Sequence, residues 1–122
     1  MSVTTPTTVR ISLPMPPSSN NMFVNVRGRG RVRSENYRKW SREAGWTLVA
    51  QRPPQFKVPV KISVEIHPPN ARAFDLDNRK KALLDLLVEH QIIPDDSWRW
   101  VRDQRISVVE TGAPCTVIVE AI

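Results

Sequence analysis

At 122 residues and 13.9 kDa the chain has room for one domain and not for two. Its apolar fraction of 40% and charged fraction of 25% exclude wholesale disorder, and its single cysteine, Cys115, excludes a disulfide framework and a Cys-based zinc site. Lys and Arg total 18 against 12 Asp and Glu, a net charge of +6 that points to a polyanion as partner.

The N-terminal stretch 1–8 reads as a flexible tail ahead of a single domain over 9–122. It lacks the charged and apolar regions of a signal peptide. No apolar run approaches the roughly 20 residues that span a bilayer. Secretion and membrane integration are therefore poor readings. Val9, Ile11 and Leu13 alternate with polar residues, which predicts a short strand. The segment Pro14-Met15-Pro16-Pro17-Ser18-Ser19-Asn20-Asn21 ends it, because proline removes donors and Ser and Asn favour turns. Residues 22–33 finish in Arg27-Gly28-Arg29-Gly30-Arg31-Val32-Arg33, the composition of a cationic loop or ribbon.

Ser34 is suited to cap a helix, with Glu35 in its first turn. Tyr37, Trp40, Ala44 and Leu48 share one face of a helix over about 35–50, which Pro53 and Pro54 end. Val58, Val60, Ile62, Val64 and Ile66 alternate as a strand that Pro68 and Pro69 stop. A loop over 70–77 leads into a helix over about 78–90 with Leu83, Leu84, Leu87 and Val88 as its stripe. Pro94-Asp95-Asp96-Ser97 is a turn, and strands follow over about 99–109 and 115–121. The short link Thr111 to Pro114 predicts that this last pair is an antiparallel hairpin. The order is strand, helix, strand, helix, strand, strand. It predicts an α+β fold: one mixed sheet of about four strands with two main helices packed on it.

Asp75-Leu76-Asp77-Asn78 is the sharpest local feature. If the segment is extended, both carboxylates point to one side and repel unless a cation lies between them. Such oxygen ligands suit Mg²⁺, or Mn²⁺ in its place, better than zinc. The plainer reading is helix capping by Asp77, and the two roles can coexist. Lys81 follows Asp77 by four residues, and a lysine there would hold a phosphate or stabilise a leaving group. Its plainer reading is an exposed helix lysine. Asp95 or Asp96 would add a third carboxylate if their turn folds back, and turn chemistry is the plainer reading.

Residues 27–42 carry seven bases and one acid, so this one segment accounts for the whole excess of +6. Arg27, Arg29, Arg31, Arg33 and Lys39, with Arg72 and Lys80 beside the acidic loop, are the candidate nucleic-acid contacts. The segment has no coherent apolar face for lying in a bilayer, which favours nucleic acid over membrane. Tyr37 and Trp40 fit stacking on bases and fit a core face better. Cys115 alternates with Val117 and Val119 as a core residue, and Trp98 and Trp100 share one face of a strand, which fits core packing or a dimer surface better than base stacking.

The Asp75-Leu76-Asp77-Asn78 motif followed by Lys81, with Asp95-Asp96 after the intervening helix, resembles the RusA family of Holliday junction resolvases. The motif Leu13 to Asn20 and the strand from Val60 to Glu65 resemble the same family, so the likeness covers about residues 9–120. The resemblance implies a homodimeric, Mg²⁺-dependent endonuclease of a bacterium or its phage. It would act in the cytoplasm on four-way DNA junctions, resolving them by paired symmetric nicks. It implies Asp75, Asp77 and Asp96 as catalytic, metal-holding carboxylates and Lys81 as the catalytic lysine. Ser19 stands where relatives carry Asn. Phe74 either packs in the core or wedges into the junction's open centre. Two other classes compete: a non-catalytic basic DNA- or RNA-binding protein, and a small ribosome-associated or structural basic protein. A pure binder has no reason to gather acids beside a phosphate.

Overall fold

The computed structural model describes residues 7–122, so most of the expected tail lies outside the described residues. Strand β1 (Thr8–Leu13) already includes Thr8. A 3₁₀ turn (Ser19–Asn21) leads to β2 (Phe23–Val26) and β3 (Gly30–Arg33), and α1 spans Glu35–Ala50. Strand β4 (Val60–Ile66) is followed by a 3₁₀ turn (Asp77–Arg79), α2 (Lys80–Glu89), β5 (Val101–Val108) and β6 (Cys115–Ala121).

The expected α+β architecture is present, as a mixed four-stranded sheet in the order β1-β6-β4-β5. Residues 22–33 add a second element, the antiparallel ribbon β2–β3. Its turn, Arg27-Gly28-Arg29, has Gly28 at φ +81°, and Gly30 follows at φ +72°. Both angles lie in the left-handed region that glycine enters without steric cost.

The last two strands do not form a hairpin. β5 pairs with β4 in parallel, β6 pairs with β4 antiparallel, and β4 therefore separates them. Short links favour neighbours. Here the link only has to cross the end of one strand, and Val109 N–H is held by Ile66 O at 2.8 Å while His67 N–H is held by Pro114 O at 3.0 Å. The parallel pair β4–β5 needs a crossover connection, and α2 supplies it. Trp98 and Trp100 also depart from expectation: both lie in the turn before β5, and Trp98 is exposed.

Both helices cover one face of the sheet. Val60, Ile62, Val64 and Ile66 of β4 meet Ile11 and Leu13 of β1 and Cys115, Val117 and Val119 of β6 in one core. Tyr37, Trp40, Ala44 and Leu48 of α1 and Leu83, Leu86 and Leu87 of α2 close it. Ser34 caps α1 as expected, its Oγ accepting from Tyr37 N–H at 3.1 Å. Burial raises the Cys115 thiol pKa to about 12, so this cysteine is a core residue and no nucleophile.

Candidate active site

The carboxylate loop follows the C-terminal end of β4 and enters the start of α2. In open sheets with parallel strands, ligands bind in the crevice outside those strand ends. Asp75 and Asp77 are not on an extended segment: Leu76 has helical angles, φ −63° and ψ −42°. Asp75 Oδ1 accepts from Asp77 N–H at 3.3 Å. Asp75, and not Asp77, thus holds the turn that opens the helix, and its second oxygen has no hydrogen-bond partner among the described residues. Both carboxylates are exposed, Asp77 with 80% of its side chain accessible.

The first residues of α2 carry two ammonium groups in different directions. Lys80 Nζ lies 3.5 Å from Asp77 Oδ1. Lys81 turns the other way: its Nζ donates to Asp85 Oδ1 at 2.9 Å and lies 3.9 Å from Asp96 Oδ2. The bond to Asp85, then Asp96, raises the Lys81 pKa, so it stays an ammonium at neutral pH. Asp77 thus meets Lys80 at i+3 and not Lys81 at i+4. Asp85 is the residue the sequence reading passed over, although its spacing of four from Lys81 was there to be seen.

The turn after α2 brings Asp96 back beside the helix, where it faces Lys81. Asp95 behaves differently. It is fully exposed, and a hydrogen bond from the Ser97 side chain, followed by backbone N–H bonds, lowers its pKa. Between the two neighbours, Asp96 is therefore the one aimed at the lysine.

The Pro14–Asn21 segment packs against this loop. Ser19 Oγ donates to Asn78 Oδ1 at 3.3 Å, and Arg79 Nη1 donates to Pro16 O at 2.8 Å. Arg79 also lies 4.8 Å from the Phe74 ring centroid, while its Nε is buried without a partner. The two segments enclose a cleft of about 540 Å³ whose walls include Asn20, Asn21, Arg72, Phe74, Asp75 and Asn78. Phe74 is half-buried against the core, which supports the packing reading of this residue. Arg79 is a second residue missed in the sequence. Its i+4 relation to Asp75 gave no hint that it reaches across to Pro16.

The cationic segment lies on the ribbon and on the solvent face of α1. Arg27 and Arg29 occupy the ribbon turn, Arg31 stacks 4.5 Å from the Phe23 ring centroid, and Lys39 is exposed on α1. Arg33 stacks 4.9 Å from Tyr37 and lies 3.6 Å from Glu89 of α2. Arg33, Lys81, Asp85 and Asp96 line one shallow depression, so the ribbon reaches the Lys81 side of the site. Tyr37, its pKa raised first by burial and then by Asp85, packs in the core beneath.

The donor set is all carboxylate oxygen, the chemistry of a Mg²⁺ site. The spatial fit is partial. Asp75 and Asp77 share one turn, whereas Asp96 lies on the Lys81 side of α2. Among the described residues, no three His, Cys, Asp or Glu side chains come together closely enough to hold an ion. One or two carboxylates with water and substrate phosphate are a common arrangement for Mg²⁺.

A family model described as Endodeoxyribonuclease RusA matches residues 14–120. Crossover junction endodeoxyribonuclease RusA of Escherichia coli strain K12 is 37% identical over 90 residues, which is 74% of this chain and 75% of that protein. Proteins of the same name from Enterobacteria phage 82 and from Shigella sonnei strain Ss046 are each 34% identical, with the same coverage. With the carboxylate loop, the lysine turn and the cationic ribbon, these matches define a nuclease of the endodeoxyribonuclease class. Within that class the chain belongs to the RusA family. No helix among the described residues is long and apolar enough to cross a membrane.

Proposed function

We propose that this protein is a Mg²⁺-dependent endonuclease that resolves four-way DNA junctions by paired symmetric nicks. The observation that carries the reading is the family match over residues 14–120, which takes in Asp75, Asp77, Lys81 and Asp96 together. Asp75 and Asp77 would hold Mg²⁺ with substrate phosphate, and Asp96 would join them through water or on closure of its turn. Mg²⁺, when bound, lowers the pKa of the attacking water and polarises the phosphoryl oxygen.

The chain's own groups do the rest. Lys81 places a fixed ammonium where negative charge develops on the phosphate. Asp85 orients that ammonium. The ribbon arginines Arg27, Arg29, Arg31 and Arg33, with Lys39, Arg72 and Lys80, hold flanking phosphates. The protein works as a homodimer in the cytoplasm of a bacterial cell, encoded by the host or by a phage. A two-fold dimer presents two identical sites to the symmetry-related strands of a junction, so paired nicks follow.

A non-catalytic DNA- or RNA-binding protein is the alternative. The separation of Asp96 from Asp75 and Asp77 is the observation that favours it. Incubating the protein with a four-way junction and with matched duplex, in Mg²⁺ and in EDTA, separates the two. The nuclease reading predicts metal-dependent nicks in the junction alone. Binding without nicking in Mg²⁺ or Mn²⁺ would favour the alternative.

A further inference from the structure

Trp98 lies in the turn between Asp96 and β5 with 71% of its surface exposed. It is not left there by a loose backbone. Trp100 N–H and Val101 N–H both donate to Ser97 O, at 3.0 and 2.9 Å, and fix the turn. The Arg99 and Arg102 guanidinium carbons lie 5.9 and 5.8 Å from the indole centroid. Neither arginine is in an ion pair among the described residues, although acids are near in sequence. Asp96 faces Lys81, and Asp103 lies 3.5 Å from Arg105. The result is an exposed indole on a hydrogen-bonded turn, with two guanidinium groups near its ring that have no carboxylate partner among the described residues.

We propose that Trp98, flanked by Arg99 and Arg102, is a stacking station for an unstacked nucleobase of the DNA substrate. This rests on the reading of the protein as a junction nuclease. Every base has a π-face, so an indole accepts any of them, and guanidinium groups beside it serve the adjoining phosphates. A base at a branch point lacks one stacking neighbour and is available, whereas a base inside intact duplex is not. Trp98 is two residues from Asp96, so a base held there would fix the strand relative to the Lys81 side of the site. A two-fold contact between copies centred on Trp98 would instead crowd four guanidinium groups together. The charge pattern thus fits DNA better than self-association.

The test compares wild type, Trp98→Ala and Trp98→Phe. Wild-type nicking of a four-way junction is measured first. Its absence would count against the nuclease reading itself, whatever Trp98 does. Affinities are then measured for the junction, for matched duplex and for oligothymidine. Trp98→Ala is expected to weaken junction and oligothymidine binding roughly 5- to 150-fold, and Trp98→Phe to restore it to within about threefold. Duplex binding should be unchanged in both. Unchanged junction and oligothymidine affinity in Trp98→Ala, or an equal loss on duplex, would overturn the proposal. So would a change of mass on sedimentation, which would make Trp98 a self-association residue.

Discussion

Lys81→Met separates a chemical role from a structural one most sharply. The substitution keeps the aliphatic stem and removes the ammonium. In the structure that ammonium makes one short contact, 2.9 Å to Asp85, and one longer approach, 3.9 Å to Asp96, and its side chain is 54% exposed. An exposed i,i+4 pair of this kind contributes about 0.3–0.5 kcal/mol to stability. For a domain of this size that is a change in Tm of about 2 °C. A positioned charge at a reacting phosphate is worth far more, about 10²–10³ in rate, or roughly 2.7–4 kcal/mol. Single-turnover cleavage of a four-way junction and thermal unfolding by circular dichroism read the two effects independently. The expected result is a rate loss above 100-fold with junction affinity within about threefold and Tm within about 2 °C. A rate within tenfold of wild type would rule out a chemical role for the Lys81 ammonium. So would a rate loss matched by an equal loss of affinity, since Lys81 would then be a simple phosphate clamp.

Three other outcomes follow from the same structure. Replacing Arg29, Arg31 and Arg33 with Ala should lower the slope of log affinity against log salt by roughly one unit per lost phosphate contact; an unchanged slope would remove the ribbon from the interface. The Cys115 thiol, with its pKa raised from 9.0 to about 12, stabilises the fold below pH 9, and this contribution is lost as pH rises toward 12. Cys115→Ala should therefore flatten the alkaline limb of a stability–pH curve, and native Cys115 should resist alkylation at pH 8 while the unfolded chain reacts. Leu83→Ala in α2, fully inside the core, should cost about 2–5 kcal/mol in denaturant unfolding, and a loss below 1 kcal/mol would contradict the packing described.

Much of this was legible in the sequence wherever the cause is local. The Ser34 cap and the Tyr37–Trp40–Ala44–Leu48 face fixed α1 to the residue, because capping and a 3.6 period act within one helix. The alternation from Val58 to Ile66 located β4 in the same way, although the strand itself starts two residues later, at Val60. The pairing of β5 with β4 was not legible. Strand order depends on which apolar faces meet across the whole chain, and the short link Thr111 to Pro114 suggested the wrong neighbour. The carboxylate motif was legible as a motif but not as a shape. An extended Asp75–Asp77 would have aligned both side chains, and the turn through Leu76 instead makes Asp75 a backbone acceptor. The same turn shifts the helix register so that Lys80, not Lys81, meets Asp77. A spacing of two puts Trp98 and Trp100 on one face of a strand; the Ser97 carbonyl, holding two N–H groups, keeps that segment a turn.

On the proposed reading, Asp77 belongs to a metal-dependent cleavage site and not to the fold. Its side chain is 80% accessible and its one ion pair among the described residues is a 3.5 Å contact to a partly exposed Lys80, so Asp77→Asn should leave stability within about 0.5 kcal/mol. The decisive measurement is junction nicking by Asp77→Asn and wild type side by side in Mg²⁺, with junction affinity measured in EDTA on the same preparations. Nicking should be abolished while affinity is unchanged or tighter, because one negative charge beside the phosphate is gone. Nicking by Asp77→Asn at the wild-type rate would contradict it.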